Sequence, residues 1–318
     1  MNIAVVFTGG TIGSKADGGV IAPGMPNRKL LSVCPKDVKA DVYEPYTSLS
    51  EYLTGEHINK LVLQIKELLK KNYDGIIITH GTDTMQYSAA ALGFIFAGAE
   101  IPIMLVGAQY VLDDERTNGY INFTDSVEFI RQNLGKGVFV CYRNDSGKRK
   151  VHLGTRLIAA APYSNDFESV KNLFFGEFKD SGFVKNPNFK AEGNRADIFK
   201  DAKLQKYCRK ILCLEARAGL YCGDIPAGIA AVLHSSFHCG TLNTHESTVF
   251  KKAKEKNIPV FLTGSGSTAY ESASAFEALG ITVLPEMSPL AAYVKLWLIT
   301  DNNLPFDLMR ENICGELI

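Results

Sequence analysis

The chain has 318 residues, and its 34 Lys plus Arg are balanced by 34 Asp plus Glu. That neutrality excludes a global electrostatic drive onto nucleic acid or an anionic membrane, which needs a marked basic excess. Apolar residues at 46% and charged residues at 21% exclude disorder as the main state, and the length suits about two domains, each with its own core.

The chain opens on Ile3–Phe7, a β-rich apolar run that turns at Thr8-Gly9-Gly10. The run is too short for a signal-peptide core and no basic residue precedes it. Thr54–Lys71 predicts a helix, with Ile58, Leu61, Val62, Ile65 and Leu69 on one face and Thr54 as N-cap. Gly75–Thr79 predicts a strand ending at His80-Gly81, and Met85–Gly98 a small, apolar, buried helix. Ile101–Val106 and Gly137–Tyr142 complete a set of continuous apolar strands, as a sheet covered on both faces requires. Residues 189–206 turn polar and aperiodic and read as a linker. Beyond it, Lys210–Leu214, Pro259–Leu262 and Ile281–Leu284 predict strands, and Thr248–Lys256 and Tyr270–Leu279 predict helices. The alternation implies an α/β layer fold in each half: a larger domain over residues 1–188 and a smaller one over 207–318. No stretch approaches the ~18 apolar residues of a membrane span. The seven cysteines are odd in number and scattered, without a CxxC pair, which fits reduced thiols in a cytoplasm.

Sites in open α/β sheets lie at the carboxyl ends of strands, and two such ends are polar and glycine-rich: Thr8-Gly9-Gly10-Thr11-Ile12-Gly13 and Thr79-His80-Gly81-Thr82-Asp83-Thr84. The first fails both the P-loop and the GxGxxG spacing. It does offer the Thr11 hydroxyl among backbone N–H groups, the materials of a nucleophile with an oxyanion hole. The second sets the Thr82 hydroxyl beside the Asp83 carboxylate, which suits holding an ammonium or orienting a base. Each loop taken singly also reads as a capped helix start. His234, His238, Cys239 and His245 lie on a loop without an acidic ligand and do not make a zinc site. Gly264-Ser265-Gly266-Ser267 lacks the GxSxG spacing of a serine-nucleophile elbow.

Together, TGGTIG at the N-terminus and HGTDT some 70 residues later resemble the bacterial-type L-asparaginases, closest to the cytoplasmic type I branch. The resemblance continues through Gly107-Ala108-Gln109, Thr117–Phe123 and Phe167–Val170, and more loosely to Ser235–Gly240. It implies two α/β domains, a larger Rossmann-like one with a mainly parallel sheet and a smaller flavodoxin-like one. It further implies Thr11 as nucleophile, with Thr82 and Asp83 as a second hydroxyl and its carboxylate. Ser50 and Glu51 would meet the substrate's amino-acid end, and Gly10 and Gly81 would lend backbone groups. No cofactor or metal is implied. The expected partners are a small amino-acid amide as substrate and further copies of the chain, as a homodimer or homotetramer, with no nucleic acid and no membrane.

Two departures stand out. Val20 falls where the family lid carries a tyrosine, for which Tyr43 or Tyr46 are spatial candidates. Ala159 stands where a relay lysine is expected after Gly154-Thr155-Arg156; a shifted alignment puts Arg156 there, which cannot serve as a base, and Lys148 and Lys150 are nearby. On a hairpin, those two lysines also read simply as solvated charges. The activity read from the sequence is hydrolysis of L-asparagine to aspartate and ammonia. The alternatives are a divergent amidohydrolase acting on another Asn- or Gln-like amide, and an amino-acid-binding protein with impaired catalysis. The asparaginase-like component of a tRNA-dependent amidotransferase ranks low, because the chain shows no extra N-terminal domain and no basic excess.

Overall fold

The computed structural model describes residues 1–17, 20–23, 28–193, 197–245, 247–264 and 270–318, with 14–17, 20–23 and 28 by backbone. The chain begins with β1 (Asn2–Phe7), a hairpin of β2 (Ser14–Asp17) and β3 (Val20–Pro23), and β4 (Lys39–Tyr43). Next come α1 (Gly55–Leu68), β5 (Gly75–Thr79), α2 (Met85–Ile95), β6 (Pro102–Val106), α3 (Gly119–Arg131) and β7 (Gly137–Arg143). Three shorter strands follow, β8 (Arg149–Leu153), β9 (Gly176–Lys179) and β10 (Gly182–Lys185). The second half holds β11 (Ile211–Leu214), β12 (Ala231–Ser235), α4 (Thr248–Glu255), β13 (Val260–Thr263), α5 (Glu271–Ser274), β14 (Ile281–Val283) and α6 (Pro289–Asp301).

The first eight-stranded sheet runs β10-β9-β8-β7-β6-β5-β1-β4. It is parallel from β4 to β7 and antiparallel from β7 to β10. Its central strands are apolar throughout because both faces are covered, and alternate side chains enter different cores. Ala4 and Val6 of β1, Ile76 and Ile78 of β5, and Ile103 and Leu105 of β6 meet α1, α2 and α6. Ile3, Val5, Ile77, Met104 and Val106 face the other way, onto Phe123, Val127 and Ile130 of α3. The second sheet, β11-β12-β13-β14, is wholly parallel. The α/β architecture, with one large, mainly parallel sheet and a smaller one, is as expected.

Several elements go beyond the sequence reading or fall short of it. β12, an inner strand of the second sheet, was not foreseen, nor were β4, β8–β10 or α6. The helix expected over Tyr270–Leu279 is a single turn, Glu271–Ser274. It stops there because Phe276 is buried and its carbonyl accepts from Ile281 N, turning the chain directly into β14. α2 is apolar on all sides because it is enclosed between the sheet and α6.

In the large sheet, β1 is flanked by β4 on one side and β5 on the other. The order of connection therefore reverses between β1 and β5, and the loops leaving their carboxyl ends diverge around a crevice. Such switch points are where open α/β sheets bind ligands.

Candidate active site at the β1 and β5 strand ends

Both glycine-rich loops emerge at this switch point, and the structure packs them directly together. Gly10 has φ +73°, and a Cβ there would lie 2.3 Å from Gly81 N. A Cβ on Gly81 would lie 2.5 Å from Ser50 Cβ and 3.2 Å from Gly10 Cα. Only glycine permits so close a backbone approach. Thr11 and Thr82 are thus each one residue beyond the point where the loops touch.

Beneath the loops, hydrogen bonds fix the main chain. Thr8 Oγ1 donates to the Thr79 carbonyl at 2.6 Å, tying the end of β1 to the end of β5. Gly10 N donates to the Ser48 carbonyl at 3.0 Å and Ser48 N to the Thr8 carbonyl at 3.1 Å. Of the backbone groups Gly10 was expected to lend, its N–H is therefore already engaged within the chain. His80 is buried, with Nδ1 2.9 Å from the Gly81 carbonyl and Nε2 2.8 Å from Ser88 Oγ. Burial lowers its pKa to about 4, so it is neutral at physiological pH and serves as a structural strut.

The segment before α1 brings the third component. Ser50 Oγ donates to Asp83 Oδ2 at 3.0 Å, and Thr84 Oγ1 donates to the Ser50 carbonyl at 2.9 Å. Ser50 is buried and Asp83 exposed, so the carboxylate is oriented on one side and open to solvent on the other. The hydroxyls of Thr11 and Thr82, both partly exposed, make no hydrogen bond to the described residues. The Thr8, Ser50 and Thr84 hydroxyls are committed to the scaffold, whereas those two are available for chemistry. Glu51 is exposed and forms no ion pair among the described residues.

A second layer steadies the third strand end. His80 N donates to the Val106 carbonyl at 2.8 Å. Asn122 Nδ2 donates to the Gly107 carbonyl at 2.9 Å while Asn122 Oδ1 accepts from Arg143 N at 2.7 Å. Asn118 joins Gln109 N to the Arg143 carbonyl in the same way. Two asparagines of the Thr117–Phe123 motif thereby clamp β6 to β7, and Gly107 leaves room for Thr82 Cγ2, 3.0 Å from where its Cβ would be.

The candidates for the missing relay base do not converge here. Arg156 is fully buried and far along the chain from the loops. Its Nε donates to the Gly315 carbonyl at 2.7 Å, and its Nη2 to Lys190 and Leu317 carbonyls at 2.5 and 2.9 Å. It is a clamp on the C-terminal segment, its donors committed to three carbonyls. Lys150 is not a solvated charge either: it is buried on β8, with Nζ 2.5 Å from Glu168 Oε2 and 3.3 Å from Asn172 Oδ1. Lys148 is exposed on the β7–β8 hairpin, and Ala159 begins an exposed loop. Of the two tyrosine candidates, one is hydrogen-bonded elsewhere and the other is buried without a hydrogen-bond partner among the described residues. Tyr43 Oη lies 2.7 Å from Tyr73 Oη. The Tyr46 hydroxyl is buried below the loops, its ring 4.9 Å from that of His57, and burial raises its pKa. The side chain of Val20 and residues 265–267 lie outside the described residues. His234, expected on a loop, lies within β12, buried, with Nδ1 2.6 Å from the Ser235 carbonyl.

Comparison with known proteins identifies the family and the fold. A family model described as Asparaginase, N-terminal matches residues 2–187, more than half of the chain. The D-type component of the glutamyl-tRNA(Gln) amidotransferase of Sulfurisphaera tokodaii is 25% identical over 341 residues, covering 99% of this chain and 75% of that protein. Its counterpart in Methanococcus maripaludis is 26% identical over 343 residues, covering 99% and 80%. Among solved structures, the thermostable L-asparaginase from Thermococcus kodakarensis matches with a TM-score of 0.82 at 21% identity, over 100% of this chain and 99% of that one. L-asparaginase I from Vibrio cholerae gives 0.80 at 22% identity, with 100% and 99% covered. These two share the fold of both sheets, and the family match spans both site loops, Ser50 and the clamping asparagines: the chain belongs to the asparaginase family and is an asparaginase-like amidohydrolase.

Proposed function

We propose that the chain is a type I-like cytoplasmic L-asparaginase, hydrolysing the side-chain amide of L-asparagine to L-aspartate and ammonia. The observation that carries this reading is the joined pair of loops, with two uncommitted threonine hydroxyls beside a serine-oriented carboxylate. Thr11 Oγ1 attacks the amide carbon, ammonia leaves with the proton, and water then cleaves the acyl-threonine ester. Thr82 and Asp83 assist the proton movements, and backbone N–H groups of the loops stabilise the oxyanion. Ser50, Asp83 and Glu51 meet the amino-acid end of the substrate, with Gly10 and Gly81 shaping the floor. With alanine at position 159, proton transfer falls to water and Asp83, and the turnover is slow for the family. Residues 1–188 and 207–318 form the two domains, joined by 189–206, and the chain acts as a homodimer or homotetramer.

The curated relatives favour a second reading, an ammonia-releasing amidotransferase component using a glutamine-like amide. Those relatives are longer than this chain, which spans 75% and 80% of the two described above.

Ammonia release from L-asparagine and L-glutamine by the purified chain and by Thr11→Ala separates the readings. The asparaginase reading expects release from asparagine that falls at least ~100-fold in Thr11→Ala. Faster release from glutamine favours the second reading. No release above the Thr11→Ala control, with asparagine still raising the melting temperature, identifies a binding protein and overturns both.

A further inference from the structure

The segments that follow Ser50 and Asp83 in sequence line a cleft of about 330 Å³. One wall comes from Leu53, Thr54, Thr84 and Tyr87, and the other from the segment before β11 and from α6. The walls are held in register by backbone contact: Gly55 N donates to the Lys206 carbonyl at 3.1 Å, and a Cβ on Gly55 would lie 2.1 Å from Gln205 O.

The cleft is lined by rings. Tyr87 meets Tyr293 edge-on at 6.1 Å, and Tyr293 meets Trp297 at 6.0 Å. Tyr207, 52% exposed, stands at the mouth with the Lys206 ammonium 5.5 Å from its ring centroid. The volume is in the range of small-molecule sites, which pair apolar walls with a few polar groups.

Its polar groups are one-sided. Among the described residues no carboxylate lines the cleft, whereas Lys206 does. The acidic partner of Lys206, Glu56, is 4.0 Å away and exposed, a pairing worth little in water. Trp297 is 7% exposed, and its Nε1–H is buried without an acceptor among the described residues. A ring box of this kind suits a cation in other settings, but here the ammonium at the mouth repels one.

We propose that this cleft binds a small aromatic carboxylate, its ring stacked among Tyr87, Tyr293 and Trp297 and its anion met by Lys206. The bound acid lies one turn behind the substrate loop, because Thr84 both lines the cleft and donates to the Ser50 carbonyl.

The chain contains one tryptophan, so its fluorescence reports on this cleft alone. Benzoate and phenylacetate are titrated into the purified chain, with benzylamine as the cationic control. The expected result is a saturable change in Trp297 emission with a carboxylate below about 10 mM and no saturable response to benzylamine. Lys206→Met, an exposed side chain whose loss leaves the melting temperature unchanged, weakens carboxylate binding about tenfold. The proposal is overturned if neither acid gives a saturable change, if benzylamine binds as tightly, or if Lys206→Met binds undiminished. The readout needs no turnover, so its outcome is independent of the asparaginase reading.

Discussion

Asp125 shows how a single residue can set a pH dependence away from the active site. On α3, its Oδ1 accepts from Arg149 Nη1 at 3.1 Å, while Oδ2 is buried without a partner among the described residues. Burial outweighs the Arg149 charge and raises the carboxyl pKa to about 6. A carboxyl that holds its proton more tightly when folded stabilises the fold below its unfolded pKa, and that contribution is lost as pH rises to about 6. The amide of Asp125→Asn has no proton to lose. The melting temperature of the parent chain is therefore expected to fall between about pH 4 and pH 6 relative to that of Asp125→Asn, in parallel thermal scans. The neighbouring Cys141 thiol is buried, with its pKa raised chiefly by desolvation, and stays protonated across this window.

At the scale of elements, α6 is the clearest case of structure exceeding sequence. Its run of Leu290, Ala291, Ala292, Val294, Leu296, Leu298 and Ile299 is buried on every side, so no polar face marks it as a helix. Lys295 interrupts the run, yet it is fully buried, with Nζ 2.7 Å from Glu316 Oε1 and 2.5 Å from the Glu311 carbonyl. Glu316 in turn accepts from Ile313 N and Cys314 N. Lys295→Met leaves the Glu316 charge buried and uncompensated, a loss expected to cost about 3–5 kcal/mol in urea unfolding. The same contrast separates what was legible from what was not. β1, β5 and β6 were readable because a central parallel strand is apolar at every position, and α1 because its buried stripe has helical spacing. β4 and β8–β10 carry charges and glycines suited to an edge or an antiparallel extension, so composition alone did not distinguish them from loops. At the site, the glycines and threonines could be placed from their motifs. The scaffolding roles of Thr8, Thr84, Asn118 and Asn122 could not, since a hydroxyl or amide bonded to a distant carbonyl leaves no periodic signal. The fate of Arg156 and Lys150 was hidden for the same reason.

Across the whole molecule, the chain folds back on itself. α6 belongs to the second half in sequence but packs on α2 of the first, and the last residues close over β8 and the turn after it. Arg156 is the fastener, gathering the Gly315, Leu317 and Lys190 carbonyls under one guanidinium stacked 4.8 Å from the Phe189 ring. Arg156→Leu strands three acceptors at once. At roughly 1–3 kcal/mol for each buried group left unpaired, the C-terminal segment is expected to open before the sheets melt. Faster amide exchange at Ile313–Ile318 and trimming by carboxypeptidase would report that opening, while unchanged protection would refute the clamp.

The close approach of Gly10 and Gly81 also bears on engineering. At their point of contact the two loops share one surface, because each leaves the space that the other's backbone occupies. Transplanting one loop from a relative into this chain imports a partner's shape without the partner. Grafts and recombination libraries should therefore treat Thr8–Gly13, Ser48–Ser50 and Thr79–Thr84 as one cassette, although about 30 to 70 residues of sequence separate its parts.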